Sequence, residues 1–296
     1  MFNNILGNDN IKELLINAVK NNKASHSYMF VGTEGIGKRL IAKEFAKMIL
    51  CTDENKYCSK CKSCMEFDGD NNPDFRIIEP DGNSLKIEQI REFQNKVAEK
   101  PIISNRKVYI INDSDKMTTE AQNCLLKTLE EPPEYVTIIL IGSNESAFID
   151  TIKSRCMILR FNKISDENIV KFLEENYQTK VNSQIMLEAF QGSIGKAIQL
   201  QDKQYEYEQI ENVIVNLESR DKIDTLNKAE VIYKAKEEKF EILDYINIIL
   251  LDLAKKSGKY ASCINIVEDT KRRLQSNANY DMSIDNMLLK LWEQVN

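Results

Sequence analysis

The chain has few residues that interrupt regular structure, with 5 prolines and 10 glycines among 296 residues, which favours a helix-rich protein. No apolar run approaches the ~20 residues that a bilayer span requires, so no membrane partner is expected. The opening Met1-Phe2-Asn3-Asn4 has neither the basic nor the apolar region of a secretory signal. The seven cysteines are therefore expected to be reduced thiols in the cytoplasm. A basic excess is also missing: 40 Lys and Arg stand against 46 Asp and Glu, a formal net charge of -6. A free-standing nucleic-acid binder is usually basic, so any DNA contact is expected to be local or supplied by partners. The single histidine, His26, has no serine or cysteine nucleophile motif near it and reads as a packing or hydrogen-bonding residue. The single tryptophan, Trp292, stands beside Leu288, Leu289 and Leu291 and reads as core or subunit contact rather than a base-stacking platform. Internal repeats and low-complexity segments are absent.

What is present begins at Gly32. The run Gly32-Thr33-Glu34-Gly35-Ile36-Gly37-Lys38-Arg39 follows the phosphate-loop pattern G-x-x-x-x-G-K-[ST] in all but its last place. Gly32, Gly35, Gly37 and Lys38 are the candidate phosphate-binding residues. The missing hydroxyl would ligate the magnesium ion that bridges the terminal phosphates. Arg39 stands there and cannot coordinate a cation. The loop can keep a nucleotide-binding shape, but hydrolysis is not expected.

The flanking pattern supplies the context that the motif needs. Apolar periodicity predicts helices at 8–20, 37–50, 86–99 and 118–131, with a short one near 147–153. Strands are predicted at 27–31, 75–79, 108–111, 136–141 and 157–161. Alternating strands and helices imply parallel pairing through right-handed crossovers, an α/β domain with a five-stranded parallel sheet and helices on both faces. The strands at 108–111 and 136–141 are apolar on both sides and read as central. Strand signals stop after residue 162. Short helices follow at 165–177, 182–191 and 194–201, then a polar run at 202–206 that reads as a linker. Residues 207–296 read as about five helices, the clearest carrying the stripe Ile242, Leu243, Ile246, Ile249, Leu250 and Leu253, with Gly258 as a stop.

Cys51, Cys58, Cys61 and Cys64 form C-x6-C-x2-C-x2-C. Four soft thiolates at this spacing suit tetrahedral zinc, and four protein ligands leave no open position for chemistry. The site reads as a structural staple of an inserted loop, worth roughly 10 kcal/mol of local folding energy. A disulfide pair or idle thiols is the alternative. Cys124, Cys156 and Cys263 are isolated and read as core or incidental.

The segment Lys107-Val108-Tyr109-Ile110-Ile111-Asn112-Asp113 ends a strand where a working nucleotide site places two acids. Asn112 occupies the first place and offers a carbonyl oxygen without charge. Asp113 occupies the second and is one methylene shorter than the usual glutamate. With Arg39, this is a second loss of a metal-handling group. The alternative is that Asp113 and Asp115 cap a loop and helix.

The run from Ala121 to Pro133 (AQNCLLKTLEEPP), then Ser143-Asn144, then Ser154-Arg155-Cys156, resembles bacterial clamp-loader AAA+ subunits, most closely those of the non-motor delta-prime type. His26–Phe30, the cysteine insert, Asn72-Pro73-Asp74-Phe75 and Asn277-Ala278-Asn279-Tyr280 belong to the same ordered set. The likeness is strongest over residues 1–200. It implies an AAA+ P-loop core at 1–162 with the zinc insert at 51–64, a three-helix lid at 163–206, and an all-α collar at 207–296. It further implies that Arg155 reaches into a neighbouring subunit's ATP site, and that Asn144 and Lys196 occupy phosphate-sensing places. The implied partners are gamma/tau and delta subunits in a hetero-oligomeric ring, and through them the sliding clamp and primer–template DNA. Two other readings stand beside it. One is a gamma/tau-type ATPase motor, for which a hydroxyl residue at 39 and Asp-Glu at 112–113 are expected. The other is a zinc-stapled DNA-binding module, which implies salt-sensitive binding by the lone chain.

Overall fold

The computed structural model of the chain describes Phe2, residues 5–181 and residues 183–296. Met1, Asn3 and Asn4, where a secretory signal would begin, lie outside the described residues, as does Asn182, the first residue of the helix predicted at 182–191. The chain divides into two compact units. The first comprises Met1–Ile169 and Ser193–Gly195, the second Val170–Gly192 and Lys196–Asn296.

In the first unit, helix α1 (Asp9–Lys20) leads into strand β1 (Ser27–Val31), helix α2 (Lys38–Leu50) and a short helix α3 (Lys62–Asp68). Strand β2 (Phe75–Ile78), helix α4 (Ile87–Val97), strand β3 (Lys107–Ile111) and helix α5 (Thr119–Glu130) follow. Strand β4 (Val136–Gly142), helix α6 (Asp150–Lys153) and strand β5 (Met157–Arg160) complete the sheet. The strand order is β2-β3-β4-β1-β5, and every pair is parallel. β1, β3 and β4 are buried along their whole length, as the two-sided apolar runs require, whereas the edge strands β2 and β5 are partly exposed.

Side-chain alternation along β1 divides the core in two. Tyr28 and Phe30 enter one layer with Leu15, Ile41 and Phe45 of the first two helices. Met29 and Val31 enter the other with Ile90, Phe93, Leu125 and Leu129 of α4 and α5. Tyr28 meets Phe45 edge-on at 5.0 Å between centroids. Helices thus cover both faces, and β1, lying between β4 and the edge strand β5, delivers the phosphate loop.

Beyond the sheet, helices α7 (Asp166–Tyr177), α8 (Gln184–Phe190) and α9 (Ile194–Gln201) match the three short helices predicted from periodicity. The second unit continues as α10 (Gln204–Val215), α11 (Lys222–Lys228), α12 (Glu230–Lys234), α13 (Lys239–Lys256), α14 (Cys263–Gln275) and α15 (Tyr280–Val295). Two expectations are corrected here. The run at 202–206 is not wholly a linker, because α10 begins at Gln204 and needs that first turn to carry the buried Tyr207 and Ile210. The helices after it number six rather than about five. The predicted stripe is buried in α13, except for the half-buried Leu253. Asn279 caps α15 by accepting from the Met282 N–H at 3.0 Å, and the buried Tyr280 hydroxyl donates to the Ile232 carbonyl at 2.7 Å. Trp292 donates its indole N–H to the Arg220 carbonyl at 2.6 Å, a structural role within this unit.

Candidate functional site

Gly37 caps α2 with φ 92°, a left-handed conformation that disfavours a side chain. Gly35 meets Gly195 backbone to backbone. The Gly195 N–H donates to the Gly35 carbonyl at 2.9 Å, and a Cβ on Gly35 would lie 2.2 Å from Ser193 Oγ. The phosphate loop is therefore closed over by Ser193–Gly195 of its own unit. Lys38, only 7% exposed, turns back into the loop and donates to the carbonyls of Gly32 at 2.6 Å and Thr33 at 2.7 Å. Burial lowers its pKa, while the carboxylates of Asp115, Glu34 and Asp113 oppose that shift. A phosphate arriving here must displace two carbonyls from the ammonium.

Arg39 does not face the lysine's partners. Its guanidinium pairs with Glu79, just beyond β2, at 2.7 Å, with both side chains half exposed. The Asn112 N–H donates to the Ile78 carbonyl at 2.9 Å, prolonging the β2–β3 ladder by one residue. Asp113 sits in the left-handed region at φ 47° and pairs with Lys116 at 3.0 Å. Asp115 accepts the N–H groups of Ser143 and Asn144, each at 2.9 Å. The Asn144 side chain in turn accepts from the Ser146 N–H at 3.0 Å and hydroxyl at 2.7 Å. The acids and the asparagine beyond β3 and β4 are thus engaged in local caps and pairs, the arrangement that the capping alternative describes.

Arg155 follows α6 on the exposed side of the unit. Its Nη2 pairs with Glu130, the last residue of α5, at 2.8 Å, and its Nη1 donates to the Thr151 carbonyl at 2.8 Å. The motif residues Glu130 and Arg155, read separately in the sequence, hold each other. The neighbouring Cys156 is half-buried, and this desolvation pushes its thiol up to about 12, which disfavours the thiolate. In the second unit, Lys196 donates to the Gln191 side chain at 2.8 Å. His26 places Nδ1 3.3 Å from the Val136 carbonyl, consistent with a positioning role before β1.

The four cysteines converge. Their sulfurs all lie within 4.8 Å of one another, with Cys51–Cys58 at 3.6 Å and Cys51–Cys61 at 4.0 Å. Zinc–sulfur bonds of about 2.3 Å in a tetrahedron demand sulfur separations of about 3.8 Å, so the set fits the ion. Cys51 directly follows α2, Cys61 caps α3 and Cys64 lies in its first turn. The Cys58 sulfur accepts the N–H of Cys61 at 3.2 Å and of Lys60 at 3.4 Å, as a turn presenting a thiolate to a metal does. Burial, and then the neighbouring Cys61 and Cys51 thiols, push Cys64 up, whereas at Cys61 desolvation is outweighed by hydrogen bonds from Thr52, Cys64 and Cys58, which lower the thiol to about 6.

One supporting network escaped the sequence reading. Asp74, 1% exposed, accepts three backbone N–H groups: Ile102 at 2.7 Å, Ile103 at 2.8 Å and Ser104 at 2.7 Å. Asn72 accepts the Asp74 N–H at 2.9 Å and donates to the Ser63 carbonyl and hydroxyl. The Ser63 and Ser104 hydroxyls meet at 2.9 Å, and Ser104 reaches the Leu50 carbonyl at 2.9 Å. This chain ties the end of α2, the cysteine insert, β2 and the loop before β3 together. The only signal for it in the sequence was the run Asn72-Pro73-Asp74-Phe75.

Residues 7–165 match the family described as DNA polymerase III, delta subunit. A "DNA polymerase III subunit delta'" of Bacillus subtilis is 36% identical over 160 residues, 54% of this chain and 49% of that protein. A "DNA polymerase III subunit tau/gamma" of Haemophilus influenzae is 34% identical over 211 residues, 68% of this chain and 30% of that protein. This chain thus spans half or less of the length of these curated relatives. Among solved structures, a DNA polymerase III gamma subunit-related protein of Thermotoga maritima has the same fold, with a TM-score of 0.52 at 17% identity over 96% of this chain and 99% of that one.

Proposed function

The chain belongs to the DNA polymerase III delta-subunit family, and on that premise we propose that it is a non-motor, delta-prime-type subunit of a clamp loader. In this reading it assists ATP-driven loading of a sliding clamp onto primed DNA, in a ring with gamma/tau and delta subunits. The observation that carries it is the condition of the phosphate loop. Lys38 is bonded to the loop's own carbonyls, and Arg39 is paired with Glu79 where a magnesium-ligating hydroxyl would stand. Asn112 brings no charge, and Asp113 and Asp115 are engaged locally. Gly32, Gly35 and Gly37 keep the loop's shape without the metal ligands that phosphoryl transfer needs. ATP hydrolysis by this chain alone is not part of the proposal.

What the chain gives its neighbour is Arg155. A guanidinium supplied in trans stabilises charge on a transferring phosphoryl group and is worth ~10³–10⁵ in rate where such fingers operate. Glu130 holds that side chain at the surface, with Nη1 braced on the Thr151 carbonyl. Asn144 and Lys196 have hydrogen-bond partners of their own and contribute little to sensing in this reading. Cys51, Cys58, Cys61 and Cys64 would hold a structural zinc ion, a closed site that fastens the insert to α2. Residues 163–206 serve as the lid and 207–296 as the collar that holds the ring.

The gamma/tau motor is the second reading, favoured by the 34% identity to the Haemophilus tau/gamma protein. Residues 39 and 112 argue against it. Mixing the chain with gamma/tau and delta subunits, and measuring complex formation and ATPase activity, separates the readings. The expected result is negligible turnover by the chain alone and faster turnover by the complex, which Arg155→Ala slows at least ~10-fold without preventing assembly. Brisk magnesium-dependent turnover by the pure chain would favour the motor, and unchanged turnover of the Arg155→Ala complex would remove the trans role.

A further inference from the structure

At the end of the sheet away from the phosphate loop lies a cavity of about 180 Å³. It opens where α1 and α2 finish, before β3 begins, and the thirteen-residue α2 sets it roughly 20 Å from Lys38. Asn22, Cys51, Thr52, Lys56, Asn105 and Arg106 line it, and no acidic residue does. One water needs only about 10–15 Å³ of such space, so the cavity takes a larger guest.

Arg106 makes the cavity unusual. Its side chain has no hydrogen bond or ion pair among the described residues, and its Nη1 is fully shielded from solvent. A buried guanidinium nitrogen without an acceptor is costly, and folded proteins seldom leave one so. The ends of α1 and α2 would ordinarily receive such a cation. Here Arg106 bonds to none of their carbonyls, and several of these already accept other donors. Asn17, Ala18 and Val19 accept from the N–H groups of Asn21, Lys23 and Asn22, and Lys47 accepts from that of Cys51. The Cys51 carbonyl accepts from Lys56 Nζ at 3.4 Å. No bond joins Arg106 to a cysteine sulfur either, although a zinc tetrathiolate would add negative charge nearby. Two cations, three polar side chains and no carboxylate leave an oxyanion as the missing acceptor.

We propose that this cavity is a phosphate-binding site in which Arg106 and Lys56 grip the oxyanion and Asn22, Thr52 and Asn105 supply polar contacts. The guanidinium fork suits two phosphate oxygens, and the ammonium of Lys56 adds a point charge beside them. The source is either free phosphate or the phosphodiester of a nucleic acid. The site stands apart from the proposed clamp-loader role and is tested without other subunits.

The zinc-loaded full chain is titrated with inorganic phosphate by calorimetry, and with a labelled primer–template DNA by fluorescence anisotropy across salt concentrations. Arg106→Gln and Lys56→Gln are measured beside it, with zinc content and thermal unfolding as checks on folding. The expected result is saturable binding by the unaltered chain, weakened at least ~10-fold in Arg106→Gln and less in Lys56→Gln. Loss in the phosphate arm identifies the free ion as ligand. Loss in the DNA arm, with a salt slope shallower by about one, identifies the diester. Absence of binding in both arms, or equal binding by the unaltered chain and both variants, overturns the proposal.

Discussion

Replacing Asp74 with alanine is expected to be among the most damaging single changes outside the apolar core. The carboxylate is 1% exposed and accepts three backbone N–H groups from residues 102–104. Each hydrogen bond to a charged group contributes about 1.5–3 kcal/mol, and each buried donor left without a partner costs about 1–3 kcal/mol. The three losses do not add in full. Ile102 is 75% exposed, so water can reach its amide, whereas Ser104 is buried and its amide cannot be rescued that way. A net loss of about 3–5 kcal/mol follows, a large fraction of the ~5–15 kcal/mol that a domain has. Asp74→Asn keeps the volume and one acceptor oxygen but turns an NH2 toward the donors, so about half that loss is expected. Urea unfolding followed by tryptophan-independent circular dichroism gives the global value. Hydrogen-exchange mass spectrometry of the peptide spanning 102–104 gives the local one. A destabilisation of Asp74→Ala under about 1 kcal/mol, with amide protection at 102–104 unchanged, would refute the reasoning.

Three further outcomes follow from the same structure. Stripping zinc with a chelator is expected to release about one equivalent per chain and to expose residues 51–64 to proteolysis while the sheet persists, and a chelator-insensitive insert would count against a metal staple. Gly35→Ala places a Cβ 2.2 Å from Ser193 Oγ at φ +74°, so a loss of about 1–3 kcal/mol by thermal unfolding is expected, and a neutral change would mean that the loop is not packed on Ser193–Gly195. Glu130→Ala frees Arg155 from its carboxylate, and in a reconstituted loader it is expected to alter ATP turnover at unchanged assembly; identical turnover would mean that Glu130 does not position the arginine.

The sheet was legible because its central strands are apolar on both sides and its helices keep a 3.6-residue stripe. The boundaries of β1 at 27–31 and of β4 near 136 follow directly from where those runs stop. Helix α3 was hidden because it has only seven residues, and Cys61 at its cap and Cys64 in its first turn belong to a C-x2-C spacing that reads as a turn. The start of α10 was hidden because its first turn is polar and only Tyr207 is buried. In the candidate site, identities were legible and engagements were not. The sequence placed Arg39 and Asn112 at metal-handling positions, but nothing local announced that Glu79 would take Arg39 or that Glu130 would take Arg155. Asp74 was equally opaque, because its three partners lie 28–30 residues away and are backbone groups, which carry no sequence signature. The cysteine cluster was the opposite case, since spacing alone constrained four sulfurs to one point.

The strand order has a consequence for how the chain is made. β1 pairs only with β4 and β5, although it is translated first. The ribosome must add about 105 more residues before β4 emerges, a wait of roughly 5–20 s at about 5–20 residues per second. Throughout that interval Tyr28, Met29, Phe30 and Val31 have no strand beside them, and the nascent polypeptide carries an apolar segment whose sheet partners do not yet exist.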